Sequence, residues 1–131
     1  MKQTILTIKE NVALTSSVYK MLLEGDVSGV TNCGQFVNIK LDGLFLRRPI
    51  SVCDCESNIL TLIYKVVGKG TEQMSKMTGG RLDILTGLGN GYDTSKSGKY
   101  PLLLGGGVGV PPLYALCKKL IAEGKEPTVI L

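Results

Sequence analysis

Polar and apolar residues alternate along the first two thirds of the chain with the period of a β-strand. Thr4–Lys9 and Val18–Leu23 are short runs of β-type residues, and Glu24-Gly25-Asp26 breaks the second. From Gln35 to Leu41, Phe36, Asn38 and Lys40 alternate with Val37, Ile39 and Leu41, as in a half-buried strand. Asp42-Gly43 reads as a turn. Leu44–Cys55 reads as extended, and Pro49 within it needs a strand edge or a bulge because it has no N–H for a ladder. Glu56-Ser57-Asn58 is another turn signal and Ile59–Val67 another strand. Short strands with turns at this spacing predict a β-barrel or sandwich.

The pattern then changes. Thr71 is placed to cap a short helix over Thr71–Met77, with Glu72 in its first turn. Arg81–Thr86 reads as a strand, and Tyr92–Lys99 as a polar loop that marks a domain boundary. The expected division is a barrel domain over 1–97 and a second unit over 98–131. In that unit Tyr100–Leu104 is a short apolar run. Leu113, Leu116, Cys117, Leu120 and Ile121 then recur at helical spacing, with Pro111 and Pro112 suited to a first turn and Gly124 to a C-terminal cap. Thr128–Leu131 reads as a second strand. A β–α–β unit with two strands cannot cover both faces of a parallel sheet. The second unit is therefore expected to be incomplete: either the chain is truncated within a larger α/β domain, or something else covers the exposed face. Val129, Ile130 and Leu131 would form an edge that could recruit a second copy into a homodimer.

Composition narrows the function classes. Net charge is +4, from 15 basic and 11 acidic residues, and the basic residues form no runs. With five Tyr, two Phe and no Trp there is no case for nucleic acid. No apolar stretch reaches a membrane-spanning length, and Met1–Ile8 lacks the apolar core of a secretory signal, so no membrane partner and a cytoplasmic location are expected. The absence of histidine excludes an imidazole base or a His-liganded metal. Cys33, Cys53, Cys55 and Cys117 contain no C-x-x-C. They read as small buried hydrophobes in a reducing compartment, with Cys53 and Cys55 on one strand face and no metal site.

Glycine is abundant, 17 of 131, and clustered. Three segments invite a phosphate-bearing ligand. Gly105–Pro112 lies between a strand and a helix, where glycines allow close backbone approach and a helix start offers free N–H groups. The dinucleotide fingerprint fails, since Val110 or Pro112 stands where the third glycine belongs, and a tight structural turn is the competing reading. Gly68-Lys69-Gly70-Thr71 repeats the pattern, with an ordinary capped turn as its alternative. Arg47-Arg48-Pro49-Ile50-Ser51 puts a bidentate cation on a strand, where plain surface arginine is the alternative.

In combination these segments carry a resemblance. The order strand–R-P-I-S, strand–I-Y-K, G-x-G-T–helix, L-G-N-G-Y and G-G-G-x-G-x-P-P-L–helix is similar to ferredoxin–NADP reductase-type flavoproteins. Among them it most resembles the electron-transfer subunits of bacterial class 1B dihydroorotate dehydrogenases. The resemblance implies an antiparallel Greek-key β-barrel that binds FAD, followed by the start of an α/β nicotinamide-binding domain. It implies that Arg48, Pro49, Ile50 and Ser51 form the first flavin motif, in which Arg48 pairs with the FAD diphosphate and Ser51 lies beside the isoalloxazine. Ile63, Tyr64 and Lys65 form the second flavin segment, and Gly70 and Thr71 the diphosphate turn. Gly105, Gly106, Gly107 and Gly109 form the nicotinamide-side loop. It further implies NAD(H) as the electron donor in the complete protein and an FMN-containing dihydroorotate-oxidising subunit as partner in pyrimidine biosynthesis. A [2Fe–2S] cluster would take no ligand from this chain. No protein acid or base is implied, consistent with the missing histidine. The spacing between R-P-I-S and I-Y-K is short and predicts a trimmed hairpin. Related reductase subunits of hydrogenase or sulfide dehydrogenase type, and a barrel module without redox function, are the alternatives.

Overall fold

The computed structural model describes all 131 residues. Six strands close into an antiparallel barrel in the order β1-β2-β5-β4-β3-β6. They are β1 (Lys2–Ala13), β2 (Val18–Glu24), β3 (Phe36–Ile39), β4 (Arg48–Glu56), β5 (Ile59–Lys65) and β6 (Arg81–Leu88). The order is that of a Greek key, as the resemblance implied. Alternate residues face inward, and twelve of them, among them Leu6, Met21, Leu23, Val37, Ile39, Leu60, Leu62 and Ile84, belong to one fifteen-residue core that Val27, Leu41 and Met74 complete. Helix α1 (Lys69–Ser75) adds Met74 to that core.

Several elements differ from the sequence reading. β1 runs to Ala13, well past Lys9, because its first half pairs with β6 and its second half with β2. The polar Glu10-Asn11 step hides this continuation. β4 and β5 meet in a tight turn at Ser57-Asn58, with Ser57 at φ +54°, which is the predicted trimmed hairpin. A β-bulge between Val52 and Asp54 shifts the register, so Cys55 packs on the barrel core whereas Cys53 is buried outside it. The two thiols do not share a face as the plain alternation predicts. Pro49 is not at this bulge but pairs with Asn38 of β3.

The second unit is the expected β–α–β. β7 (Leu102–Leu104) and β8 (Thr128–Ile130) pair in parallel, and α2 (Pro111–Ala122) connects them. Pro111 and Pro112 occupy the first turn of α2, its C-cap is Glu123, and Gly124, the predicted cap, follows one residue later at φ +81°. Leu103, Leu116 and Leu120 make a separate small core. The polar Tyr92–Lys99 stretch is not a free loop. Thr94–Lys96 forms a 3-10 turn capped by Asp93, and the buried Thr94 donates its hydroxyl proton to Glu123 at 2.9 Å. α2 leans on β4, where the Lys118 ammonium bridges Asp54 and Glu56 at 2.9 and 2.8 Å. Those two carboxylates, Glu56 foremost, hold Lys118 protonated well above the usual lysine range. No helix is long and apolar enough to cross a membrane.

Candidate functional site: a slot where two barrel strands part

β4 pairs with β3 over Arg48–Ser51, but its pairing with β5 begins only at Val52. β5 pairs with β2 along its whole length, up to Lys65. Between Arg48–Ser51 on one strand and Ile63–Lys65 on the other, the barrel wall is therefore open. A cleft of about 340 Å³ occupies the opening, lined by Arg48, Pro49, Ile50, Ser51, Ile63, Tyr64, Lys65, Val67, Thr71 and Val108.

The strand geometry explains the residue types. Along an antiparallel strand, backbone N–H groups point alternately to the two edges. The N–H of Val52 donates to Gln35 on the β3 side, so the N–H of Ser51 is aimed into the slot. Pro49 occupies the other slot-facing position, where a residue without an N–H leaves nothing unsatisfied. The sequence requirement for an edge is thus met inside a closed barrel, at the one place where its wall is parted.

Arg47 and Arg48 are adjacent in sequence and separate in role. Arg47 is bound to Asp83 at 3.1 Å and to the Asn38 carbonyl at 3.3 Å, which ties β4 to β3 and β6. Arg48 has no carboxylate partner and donates to the carbonyl of Leu46. Its side chain lies across Gly70, where a Cβ would overlap Nε and sit 2.8 Å from Cγ. Gly70 is therefore a glycine because the arginine lies against its backbone. Lys65 and Lys69 also lack acidic partners, whereas Lys76, Lys118 and Lys125 are paired. Two cations without acidic partners, Arg48 and Lys65, thus line the slot.

Thr71 does not cap α1 as predicted. Gly68 is the N-cap, and Thr71 sits three residues into the structure from it. Its hydroxyl accepts from the Val67 N–H at 2.8 Å and the Gly68 N–H at 3.3 Å. Thr71 thus supports the helix start from its third position, reaching back to the N-cap backbone, and not as the N-cap itself. Tyr64 is only 2 % exposed and belongs both to the core and to the slot wall. Its hydroxyl donates to Asn11 at 2.8 Å, and burial pushes its pKa up to about 12. Its ring stacks on Tyr19 with centroids 5.9 Å apart. The Asn11 amide in turn donates to the Met74 and Met77 carbonyls at 2.8 Å, joining the tyrosine to the end of α1.

The second glycine loop differs. A Cβ on Gly105 would meet Leu113 at 2.7 Å, so this glycine serves the packing of α2 on β7. Gly106, Gly107 and Gly109 face open space, and Gly107–Gly109 form a 3-10 turn between strand and helix. Of this loop only Val108 reaches the slot. Sequence reasoning thus missed three contributors: Val67, Val108 and Asn11. Asn11 carried no signal, because its partner Tyr64 is 53 residues away. Burial raises the pKa of Cys33, Cys53 and Cys55. No group of three or more Cys, Asp or Glu side chains is arranged to hold a metal ion.

No family model matches the chain. It is 44% identical to the dihydroorotate dehydrogenase B (NAD(+)) electron transfer subunit of Bacillus pumilus, over 95% of this chain and 52% of that protein. It is 41% identical to the subunit of the same name from Fusobacterium nucleatum, over 100% and 54%. Among solved structures it superposes on an NADH-dependent reduced ferredoxin–NADP oxidoreductase with a TM-score of 0.86 at 32% identity, covering 96% of this chain and 47% of that one. A Neisseria gonorrhoeae ferredoxin NADP+ reductase shares the fold with a TM-score of 0.79 at 21% identity, over 98% and 56%. The chain spans about half the length of the curated relatives it matches. By sequence the chain is similar along 95–100% of its length to dihydroorotate dehydrogenase B electron transfer subunits, over about half of their length, and its barrel shares the fold of ferredoxin reductase-like proteins.

Proposed function

We propose that the slot between β4 and β5 is an FAD site and that the chain serves electron transfer between NAD(H) and a dihydroorotate-oxidising partner subunit. The observation that carries the reading is the parting of β4 from β5. It lines one cleft with Arg48, Pro49, Ile50, Ser51, Ile63, Tyr64, Lys65 and Thr71, and lays Arg48 over Gly70.

The residues suit the group. An unpaired guanidinium held beside a backbone without a Cβ offers a fork for two diphosphate oxygens. The Ser51 N–H and hydroxyl offer donors to a planar heterocycle, and Ile50, Ile63 and Val67 offer apolar faces. When bound, FAD supplies the redox chemistry, accepting a hydride and passing electrons on singly. The chain's own groups bind and orient: Arg48 and the Gly70-Thr71 turn hold the diphosphate, and Asn11 fixes Tyr64 in the slot wall. Gly106, Gly107 and Gly109, with open space around them, form the nicotinamide-side loop. We assign residues 1–97 to the flavin domain and 98–131 to the nicotinamide-binding unit. The partner is the FMN-containing catalytic subunit in the cytoplasm, and the [2Fe–2S] cluster between them has no ligand in this chain, in keeping with its scattered cysteines. Val129–Leu131, all exposed, form an edge for a second copy.

The test is the visible spectrum of the chain after incubation with FAD and gel filtration, together with capture of a dihydroorotate-oxidising subunit. Retained flavin bands, lost in Arg48→Ala, are expected. A colourless chain, or equal retention by the variant, overturns the site. Retained flavin without capture overturns the partner alone.

A further inference from the structure

Phe45 is 99% exposed, on the β3–β4 loop, with Leu46 beside it at 67%. The barrel's other aromatic rings are engaged. Tyr19 and Tyr64 stack on each other, Phe36 lies against Gly89, and Tyr92 lies against Gly34. The loop that carries Phe45 is tied down on both sides. Leu44 packs on the barrel core, Gln73 of α1 donates to the Asp42 carbonyl at 3.1 Å, Arg47 is bound to Asp83, and Arg48 donates to the Leu46 carbonyl. A large apolar ring is thus held in water by a fixed loop, and no part of the chain covers it.

We infer that Phe45 is the stacking platform for the adenine ring of FAD and the residue by which the site distinguishes FAD from FMN. This rests on the slot being the flavin site. The slot closes where β4 and β5 rejoin at Val52 and Leu62, so a flavin ring beside Ser51 and Ile63 points its side chain toward Arg48. With the diphosphate on Arg48 and the Gly70-Thr71 turn, the adenosine half lies beyond Arg48. Two surfaces border that position. One is the outer face of α1, whose Glu72 is paired with Lys76 and whose Gln73 is bound to Asp42. It has no aromatic side chain. The other is the β3–β4 loop, where Phe45 stands three residues before Arg48, within about 10 Å along the chain. A purine offers a π-face on either side, and stacking on a fixed aromatic side chain needs no hydrogen-bond register. FMN ends at its phosphate and does not reach the ring.

The experiment is a pair of fluorescence titrations, with FAD and with FMN, on the purified chain and on Phe45→Ala and Phe45→Trp. Wild-type chain is expected to bind FAD more tightly than FMN. Phe45→Ala is expected to weaken FAD about 5- to 20-fold, the lower range for loss of one base stack, while FMN changes less than about twofold. Phe45→Trp keeps the preference for FAD. The ring touches nothing in the fold, so the melting temperature should not move and serves as the folding control. FAD binding unchanged in Phe45→Ala, or FAD and FMN weakened equally, overturns the inference. So does a loss confined to association with the catalytic subunit, which would make Phe45 a protein contact. Wild-type chain that binds neither flavin overturns the slot assignment and this inference with it. Wild-type chain that binds both flavins equally overturns this inference alone.

Discussion

The barrel and the β7–α2–β8 unit use the same kinds of residue and bury them very differently. The barrel closes on itself and encloses one fifteen-residue core. The second unit has a core of three leucines, Leu103, Leu116 and Leu120, and Leu102, Leu104, Val129 and Ile130 remain exposed on its two strands. It holds its place by resting α2 on β4 and by pinning the Tyr92–Lys99 stretch to Glu123. The same contrast appears in the two glycine turns. Gly70 is buried beneath Arg48, whereas Gly106, Gly107 and Gly109 look into open space. A strand–glycine–helix pattern therefore says where a ligand can approach. Only the packing around it says whether a side chain is already there to meet the ligand.

The sharpest break in the comparison is a core deletion on each side. Leu62→Ala, in the barrel core, should lower stability by about 2–5 kcal/mol in urea denaturation. Leu120→Ala should instead free α2 and leave the barrel transition in place. Coincident loss of both regions in Leu120→Ala would mean that the second unit is part of one cooperative structure. Next in size is Arg48→Ala, expected to cost about 1.5–3 kcal/mol of FAD binding by equilibrium dialysis, as for a lost charge-assisted hydrogen bond. Arg47→Ala should reduce barrel stability instead, because its partner Asp83 is in the wall.

The glycine turns are compared by Gly70→Ala and Gly106→Ala. The first places a methyl against Arg48 and should weaken FAD about tenfold, with a melting temperature close to wild type, because the arginine can swing away. The second meets no atom within 4 Å, at a φ of −141° that alanine adopts freely, and should change FAD binding by less than about twofold. Equal effects would remove the distinction drawn between the turns. The smallest effect belongs to Lys118→Met. Glu56 is exposed and Asp54 half-buried, and Lys118 itself is partly exposed, so the loss should be about 0.5–1 kcal/mol and should shrink in high salt. Faster hydrogen exchange confined to α2 would locate it at the contact between the two regions.

Much of the site was legible because its residues sit in short contiguous motifs with strong local chemistry. Arg48-Pro49-Ile50-Ser51 reads as a strand with an edge requirement, and the edge exists. Ile63-Tyr64-Lys65 reads as a strand, and the slot lies between the two. What was not legible depends on register. The bulge at Val52–Asp54 separates Cys53 from Cys55, and no glycine or proline marks it in the sequence. Thr71 was misread because Gly68 starts the helix without a side chain to announce it. Asn11 was invisible because its partners lie on β5 and at the end of α1.

By itself the sequence determined the alternation that makes a six-stranded barrel, the helical stripe of α2, the turns that require glycine and the absence of imidazole chemistry. These follow from local propensity and from which face of each element must leave water. Tertiary structure alone decided where the barrel wall parts, which of two neighbouring arginines is consumed by an ion pair, and which glycine has a cation laid across it. Those outcomes depend on strand register and on side chains far apart in the chain. The free energy that selects them comes from close packing and from satisfying backbone groups across the whole barrel, which no local stretch encodes.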